Sequence, residues 1–358
     1  MAENGPIERL AEIVSDKVLT KFKWKQVGPC NQDFKCLKQN EHKPATKKQE
    51  HTHPVDVVFS YKDPYTNKTV LLNTDLKSYA IGSISKELVQ GSLNSLARTI
   101  DCASNSQEWL DKYRVCVGDY EIRGMLFVYN HDNKFDKDFY EYFYPERQKA
   151  AGSRKRSPIK LESFDLAQGH QLHIVEPNLI KYMMAITADM HEMISEGKFP
   201  REDYGFYYPQ LTLHKVLTSE EYLPATIELI SAAYMLIKHG AVEQYDKQVG
   251  ELKEVYSSGY VIYYNRNGGT DQEFLYLLDT LARYQLLNAS TRIRIRVAHS
   301  SPSGSLRSNF NRAIQKFAHE WGFDESATRI LENIQLHICP VTKEFYSSED
   351  IGWGVENV

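Results

Sequence analysis

The sequence lacks any long hydrophobic run, and it contains few cysteines. No apolar stretch approaches the roughly 20 residues that a membrane-spanning helix requires, and the polar start MAENGPIERL does not resemble a secretory signal. The five cysteines are scattered without the regular spacing of a disulfide framework, which is typical of proteins in a reducing compartment. We therefore predict a cytoplasmic protein that does not enter a membrane.

Excess positive charge is missing as well. The chain has 43 Lys and Arg against 47 Asp and Glu, a formal net charge of −4, so no overall field attracts nucleic acid. Any contact with DNA or RNA must then come from a local cluster of basic residues. The sequence also contains no Walker A, GxGxxG or GxSxG motif, so nothing in it favours an ATPase, a dehydrogenase or an esterase.

What the sequence does have is enough length and apolar content for two hydrophobic cores. Its 358 residues exceed the usual size of one domain, and 42% of them are hydrophobic. The segment ERQKAAGSRKRSPIK, residues 146–160, is basic, rich in small residues and ends in a Ser-Pro turn signal, as linkers often do. We predict a first domain at residues 1–147, a basic linker at 148–165 and a second, α/β domain at 166–358.

The first domain reads as a helix, a succession of strands, a second helix and a last strand. Apolar residues at helical or strand spacing predict these elements at residues 6–21, 54–61, 69–79, 85–101 and 121–130. A short strand is also predicted in KFKWKQV. The polar segment 28–53 contains Pro and Gly at intervals, so we predict a loop or insertion there.

The second domain alternates between helices and strands. Helices are predicted at residues 176–196, 219–239, 271–287 and 305–321, and strands at 259–264, 291–298 and 334–338. Thr270 and Glu273 have the spacing of a capping box, which marks the start of one of these helices. Such alternation is typical of an α/β layer whose neighbouring strands are parallel.

Two predicted strands of the first domain carry acids. A carboxylate inside a buried strand is costly unless it is paired or holds a metal. Side chains two residues apart on a strand point to the same face, so Asp75 and Lys77 lie side by side. A short connection makes the two strands antiparallel neighbours, which would bring Asp56 to the same end of the sheet. Two carboxylates suit Mg²⁺, and a metal-bound water beside a lysine fits phosphodiester hydrolysis.

This arrangement resembles the PD-(D/E)xK, or restriction-endonuclease-like, nuclease superfamily over roughly the first 130 residues. Asp75-Leu76-Lys77 matches the D-x-K element, and Asp56 in HPVD matches the first acid, although Pro54 precedes it by two places instead of one. The resemblance implies a central mixed sheet flanked by helices and a nuclease that uses Mg²⁺, with Mn²⁺ able to substitute. It also implies that Asp56 and Asp75 bind the metal and that Lys77 assists the attacking water.

The tripeptide alone carries little information, because the chain holds several others, among them Asp33-Phe34-Lys35. None of the others sits inside an apolar strand with a second strand-borne acid upstream. The alternative interpretation of Asp75 and Lys77 is an ion pair that only stabilises the sheet.

The resemblance implies further site residues. Many members add a Glu from the first helix as a metal ligand, and Glu12 is the candidate here, with Glu8 as the alternative. A solvated position on the helix face is the competing interpretation of Glu12. Gln90 loosely matches a Gln that some members carry in the following helix. Apart from the resemblance, the position of His51 and His53 just before Asp56 makes either one a candidate accessory acid or base near the scissile phosphate, with His53 preferred.

Basic residues near the acids are candidate nucleic-acid contacts, because lysine and arginine bind phosphates without reading sequence. The competing interpretation is a set of solvated loop residues. The RIRIR strand of the second domain is a further candidate phosphate or partner surface, unless its arginines pair with acids. The candidates in the first domain and the linker are Lys47, Lys48, Arg154, Lys155 and Arg156.

Two thiols and two imidazoles ahead of the first acidic strand suggest a tetrahedral zinc site as an alternative. The residues are Cys30, Cys36, His51 and His53. However, the two cysteines are farther apart, and the two histidines closer together, than is usual for zinc ligands. Solvated loop histidines are the favoured interpretation.

We therefore predict a Mg²⁺-dependent phosphodiesterase in microbial defence against phage or foreign DNA, with an endonuclease favoured and DNA favoured over RNA as its substrate. The alternative is a catalytically inactive subunit that keeps the nuclease fold as a scaffold or nucleic-acid-binding component of a multi-protein complex. The second domain would sense a trigger, bind the substrate, or join a partner or a second copy of the chain.

Overall fold

The computed structural model describes residues 13–43, 49–113, 118–144, 157–211, 213, 215–218, 221–247 and 250–339. Within these ranges the chain forms two compact units. The first contains the residues up to 180 except 64–66, and the second contains 64–66 and the residues from 181 onward. None of the described helices is both long and apolar enough to cross a membrane.

The first unit is built on a five-stranded mixed sheet. The described strands of the whole unit are β1 (Lys25–Val27), β2 (Gln32–Lys35), β3 (Thr52–Val55), β4 (Val57–Lys62), β5 (Thr69–Tyr79), β6 (Tyr120–Asn130) and β7 (Leu172–Val175). The sheet order is β1-β4-β5-β6-β7, with antiparallel pairing from β1 to β5 and parallel pairing from β5 to β7. Strands β2 and β3 form a separate antiparallel pair.

The helices of this unit cover the sheet. They are α1 (Gln39–His42), α2 (Lys86–Ala103) and α3 (Gln107–Tyr113), with single π- or 3₁₀-helical turns at Val14–Val18, Leu19–Phe22, Ile81–Ser83, Phe139–Tyr142 and Leu161–Ser163. Helix α2 begins after Ser85, whose side chain accepts a hydrogen bond from the backbone N–H of Leu88. Its apolar stripe, which includes Val89, Leu93 and Leu96, is buried in the core of this unit.

The predicted fold class is confirmed, and the strands at 69–79 and 121–130 and the helix at 85–101 lie within one or two residues of their predicted bounds. The prediction of a loop at 28–53 was wrong, because this segment contains β2, α1 and the start of β3. The segment is polar and the strands are short: Phe34 is the only buried residue of β2, and His53 and Val55 are those of β3.

The second unit contains another five-stranded sheet. The described strands of the whole unit are β8 (Tyr204–Phe206), β9 (Tyr234–His239), β10 (Val242–Asp246), β11 (Glu251–Tyr256), β12 (Gly259–Tyr264), β13 (Arg292–Val297) and β14 (Gln335–Ile338). Its helices are α4 (Pro177–Ser195, starting in the first unit), α5 (Ile227–Ile230), α6 (Asp271–Arg283), α7 (Leu306–Glu320) and α8 (Glu325–Glu332). The sheet order is β14-β13-β12-β9-β8, and β10 pairs only with β11.

Two features of this unit differ from the prediction. Strands β12, β13 and β14 are parallel, as expected, but β8, β9 and β12 pair antiparallel. The helix predicted at 219–239 was wrong: its second half is strand β9, and α5 is a single helical turn. Met235, Leu236 and Ile237 are all buried because β9 lies inside the sheet, and such a continuous apolar run has no strand periodicity.

The predicted domain boundaries differ from the compact units. We assigned residues 166–180 to the second domain, but β7 pairs with β6 and so lies in the first sheet. A strand added after a long connection leaves no local signal in the sequence, which explains why this pairing was not predicted.

Candidate active site

Two charged side chains interrupt the buried middle strand β5. Residues 70–74 of this strand are buried, whereas Asp75 and Lys77 are half-buried on either side of the buried Leu76. Because strand side chains alternate between faces, Asp75 and Lys77 lie on the same face. The Nζ of Lys77 donates a hydrogen bond to Oδ1 of Asp75, so the two form an ion pair.

Asp56 lies at the break between β3 and β4. Val57 pairs with Thr74 in the antiparallel ladder, so the register continued by one residue places Asp56 opposite Asp75. Oδ2 of Asp56 accepts a hydrogen bond of 2.8 Å from the backbone N–H of Leu76, and the charge of Asp75 acts on the Asp56 carboxyl group. The structure therefore brings Asp56 and Asp75 together beside Lys77, while the roles of the three residues stay predictions.

The surroundings shift the pKa values of two of these groups. Burial raises the pKa of Asp56 to about 6, and repulsion from Asp75 adds to the rise, against the hydrogen bond from Leu76 and the charge of Lys77. Burial lowers the pKa of Lys77, but the charge and hydrogen bond of Asp75 outweigh it, so this pKa is raised. Lys77 is therefore charged at neutral pH, and two carboxylates share one cation.

This donor set suits a divalent metal. The β4–β5 register and the repulsion between Asp56 and Asp75 place the two carboxyl groups near each other. Mg²⁺ binds through one or two such carboxylates and leaves positions for water and substrate phosphate, and Mn²⁺ prefers the same oxygen ligands. A cation here would also remove the repulsion that raises the pKa of Asp56. The residues present therefore fit the metal that the sequence predicts.

Comparison with known protein families agrees with this geometry. A family model described as the GAPS4 protein PD-(D/E)XK nuclease domain matches residues 1–179, half of the chain. The chain belongs to this nuclease-domain family. The match confirms the predicted PD-(D/E)xK resemblance and extends it beyond residue 130, through β7 to the end of the first unit. No curated protein and no solved structure matches the chain.

Of the remaining site residues predicted for this PD-(D/E)XK domain, the structure describes Gln90 and His53. Gln90 lies on α2, where its side chain donates a hydrogen bond of 3.4 Å to Ser163 Oγ. His53 is only 2% exposed, and burial lowers its pKa to about 3, so its surroundings disfavour an accessory acid or base. Seven candidates lie outside the described residues: Glu8, Glu12, Lys47, Lys48, Arg154, Lys155 and Arg156.

Two supporting groups of the nuclease domain were missed by the sequence analysis. The backbone N–H of Leu76 holds Asp56, but a backbone donor has no sequence signal. Asn73, buried on the same face of β5 as Asp75, accepts a hydrogen bond of 3.0 Å from Nε1 of Trp109 on α3. This bond ties the strand that carries Asp75 and Lys77 to a helix, and the separation of 36 residues hides it from any local pattern.

The RIRIR strand of the second unit, β13, is largely engaged in internal contacts. Arg296 pairs with the buried Asp189, as the acid-pairing alternative anticipates. Arg294 is buried, hydrogen-bonds with Nε2 of His239 at 2.9 Å and lies over the ring of Tyr256. These arginines line a cavity of about 420 Å³. A phosphate- or partner-binding role for this strand stays a prediction.

Proposed function

We propose that the chain is a metal-dependent nuclease that hydrolyses phosphodiester bonds of nucleic acid, with DNA as the favoured substrate. The observation that carries this proposal is the meeting of Asp56, Asp75 and Lys77 at one edge of β5 in a PD-(D/E)XK nuclease domain. PD-(D/E)XK nucleases generally use divalent metals, and the two carboxylates supply the oxygen ligands that Mg²⁺ requires.

Each of the three residues has a distinct part in this proposal. Asp56 and Asp75 hold the metal through carboxylate oxygens, and Asp56 is kept in place by the backbone N–H of Leu76. The metal, when bound, polarises a phosphoryl oxygen and lowers the pKa of bound water. Lys77 orients the attacking water and offsets charge on the scissile phosphate. Because its pKa is raised, Lys77 acts as a charged hydrogen-bond donor and not as a base.

We propose a role in defence against phage or other foreign DNA, which the defence association of the family supports. We propose that the second unit then controls the nuclease, by sensing a trigger or by joining a partner or a second copy of the chain. An unregulated nuclease would damage its own cell, and control by an attached unit or partner avoids this.

The alternative is a nuclease fold that has lost activity and serves as a scaffold or nucleic-acid-binding subunit. The complete set of two acids and one lysine argues against it, because an inactive site has no need to keep two carboxylates that repel each other. Activity measurements distinguish the two proposals directly.

The decisive experiment is a cleavage panel on the full chain. Plasmid, single-stranded DNA and RNA are incubated with Mg²⁺, Mn²⁺ or EDTA, using the wild type and the variants Asp75→Ala and Lys77→Ala. We expect metal-dependent cleavage of DNA that EDTA abolishes. Each substitution should reduce the rate by at least about 100-fold while the circular dichroism spectrum is unchanged.

The chain offers a matched control in another strand-borne tripeptide, Asp33-Phe34-Lys35 on β2. Asp33 accepts a hydrogen bond from Thr52, and Lys35 pairs with Glu50. The variants Asp33→Ala and Lys35→Ala should therefore cleave as the wild type does. Cleavage that survives Asp75→Ala, or inertness of the wild type under every condition, would contradict the nuclease proposal.

A further inference from the structure

Four metal-ligating side chains converge in the core of the first unit, apart from the acids of the candidate active site. Cys36 follows β2, His42 ends α1, His53 lies on β3 and Cys102 lies near the end of α2. Their ligand atoms all lie within 4.8 Å of one another, and each residue is at most 6% exposed. Four separate elements thus place two thiols and two imidazoles around one point.

The three distances among Cys36, His42 and Cys102 match those around a tetrahedral zinc ion. Zn–S bonds of about 2.3 Å and Zn–N bonds of about 2.0–2.1 Å place two sulfurs about 3.8 Å apart, and a sulfur and a nitrogen about 3.5–3.6 Å apart. The two Sγ atoms of Cys36 and Cys102 are 3.8 Å apart. Nδ1 of His42 lies 3.6 Å from Cys36 Sγ and 3.4 Å from Cys102 Sγ. A disulfide would need the sulfurs at about 2.05 Å.

A carboxylate outside the cluster orients His42 for metal binding. Nε2 of His42 lies 3.5 Å from Oδ2 of Asp101, whose carboxylate also pairs with Lys38 at 2.6 Å. A proton on Nε2 directed at this carboxylate leaves the lone pair of Nδ1 facing the two sulfurs. A carboxylate behind a ligating histidine is the usual second contact at zinc sites.

His53 is oriented in the same way through its other nitrogen. Thr99 Oγ1 donates its proton to the backbone carbonyl of Ser95 at 2.9 Å, so it can only accept from Nδ1 of His53 at 3.4 Å. The lone pair of His53 therefore lies on Nε2. This atom is buried without any hydrogen-bond partner, and it is the ligand atom that His53 would offer. An orphaned acceptor in a buried site requires an explanation, and a metal supplies one.

We propose that Cys36, His42, His53 and Cys102 bind a zinc ion. Two thiolates neutralise the charge of Zn²⁺. The set differs from the zinc alternative drawn from the sequence, which included Cys36 and His53 but took Cys30 and His51 for the other two ligands. Cys102 is 60 residues from His42, so spacing along the chain does not reveal it.

The zinc ion has a structural role in this proposal. Four protein ligands leave no position for substrate, and the site is closed to solvent, which are the properties of structural zinc. The ion joins the segment from β2 to β3 to helix α2. Since β3 carries His53 and ends one residue before Asp56, the ion also fixes the strand that leads into the candidate active site.

Metal content of the full chain tests the proposal without any measure of nuclease activity. Protein purified under reducing conditions should carry about one zinc ion per chain by elemental analysis, and Cys102→Ser and His53→Ala should lose it. Cys30→Ser and His51→Gln are matched controls that should keep it, and Asp75→Ala should keep it too. Replacement by Co²⁺ should give the intense visible absorption of tetrahedral coordination and a thiolate charge-transfer band.

The wild type decides the outcome even if the ligand variants fail to fold. Wild-type protein without zinc that gives no tetrahedral Co²⁺ spectrum would overturn the proposal. So would a Cys36–Cys102 disulfide found by mass spectrometry in protein from a reducing cytoplasm, or zinc that survives Cys102→Ser in folded protein. This test measures zinc content and not DNA cleavage. The zinc proposal can therefore fail while the nuclease proposal stands, and the nuclease proposal can fail while the zinc proposal stands.

Discussion

Both units place an aspartate against a basic side chain inside the fold, but the surroundings of the two pairs differ. In the first unit the side chains of Asp75 and Lys77 keep 21% and 28% of their surface exposed, and a second carboxylate adjoins them. In the second unit Asp189 on α4 is 1% exposed and Arg296 on β13 is 11% exposed. Both carboxylate oxygens of Asp189 accept hydrogen bonds from Arg296, and one also accepts from the hydroxyl of Tyr263.

The difference separates a structural ion pair from a site that can react. Asp189 and Arg296 balance in charge and are almost fully buried, so they cannot be separated cheaply. Asp56, Asp75 and Lys77 have an excess of negative charge and reach solvent, which leaves a cation to be bound from outside. An unbalanced set of charges at an opening is therefore more informative about function than a buried acid alone.

Removal of Asp189 should have the largest effect on stability. Asp189→Ala leaves the guanidinium of Arg296 buried without its counter-charge, and loss of one partner of a buried pair costs about 3–5 kcal/mol. We expect the free energy of unfolding of the second unit to fall by this amount, measured by urea denaturation. The double variant Asp189→Leu, Arg296→Met should recover part of the loss, because it removes both charges. Equal instability of the single and double variants would show that packing, not charge, is what Asp189 supplies.

Strand periodicity explains how much of the active-site geometry could be predicted. Asp75 and Lys77 share a face because they are two residues apart, and the short β4–β5 connection fixes an antiparallel register that brings Asp56 opposite Asp75. The capping box of Thr270 and Glu273 at the start of α6 was likewise confirmed, because it depends only on local spacing.

The parts that could not be predicted depend on contacts distant in sequence. The pairing of β7 with β6, the bond between Trp109 and Asn73 and the approach of Cys102 to His42 all require the folded sheet. None leaves a periodic pattern in the chain. Strand β9 was not predicted for a different reason: burial on both faces removes the alternation of apolar and polar residues by which a strand is recognised.

The excess negative charge at Asp56, Asp75 and Lys77 should lower the stability of the first unit, and a neutral substitution should recover this loss. The pKa of Asp56 in the folded protein, about 6, is above its ordinary value of 3.8, so the folded state binds more protons than the unfolded state between these values. Stability of the metal-free protein should therefore fall as pH rises from about 4 to 6 and stay lower above pH 6. Asp56→Asn keeps an acceptor for the N–H of Leu76, and should raise stability at pH 7.5 by about 1–3 kcal/mol.

Thermal melts in EDTA at pH 4 and pH 7.5 check this prediction. The gain from Asp56→Asn should nearly disappear at pH 4, where the wild-type carboxyl is already protonated, and DNA cleavage by the variant should be lost. Asp75→Asn is the matched comparison: it deprives Lys77 of its ion pair and should not stabilise the protein to the same degree. A gain from Asp56→Asn that is the same at both pH values would exclude charge as its cause.

An exposed ion pair in the second unit should show the smallest effect. Arg329 and Glu325 are four residues apart on α8, and their side chains are 68% and 83% exposed. Solvent screens such a pair, so Arg329→Ala should change the free energy of unfolding by less than about 0.5 kcal/mol, measured by urea denaturation beside Asp189→Ala. Both pairs join an arginine to a carboxylate, but they differ in burial and in the number of hydrogen bonds that the carboxylate accepts. If Arg329→Ala lowered the free energy of unfolding nearly as much as Asp189→Ala does, ion pairing would stabilise this unit whatever its exposure. The contrast between buried and exposed charges would then have no basis.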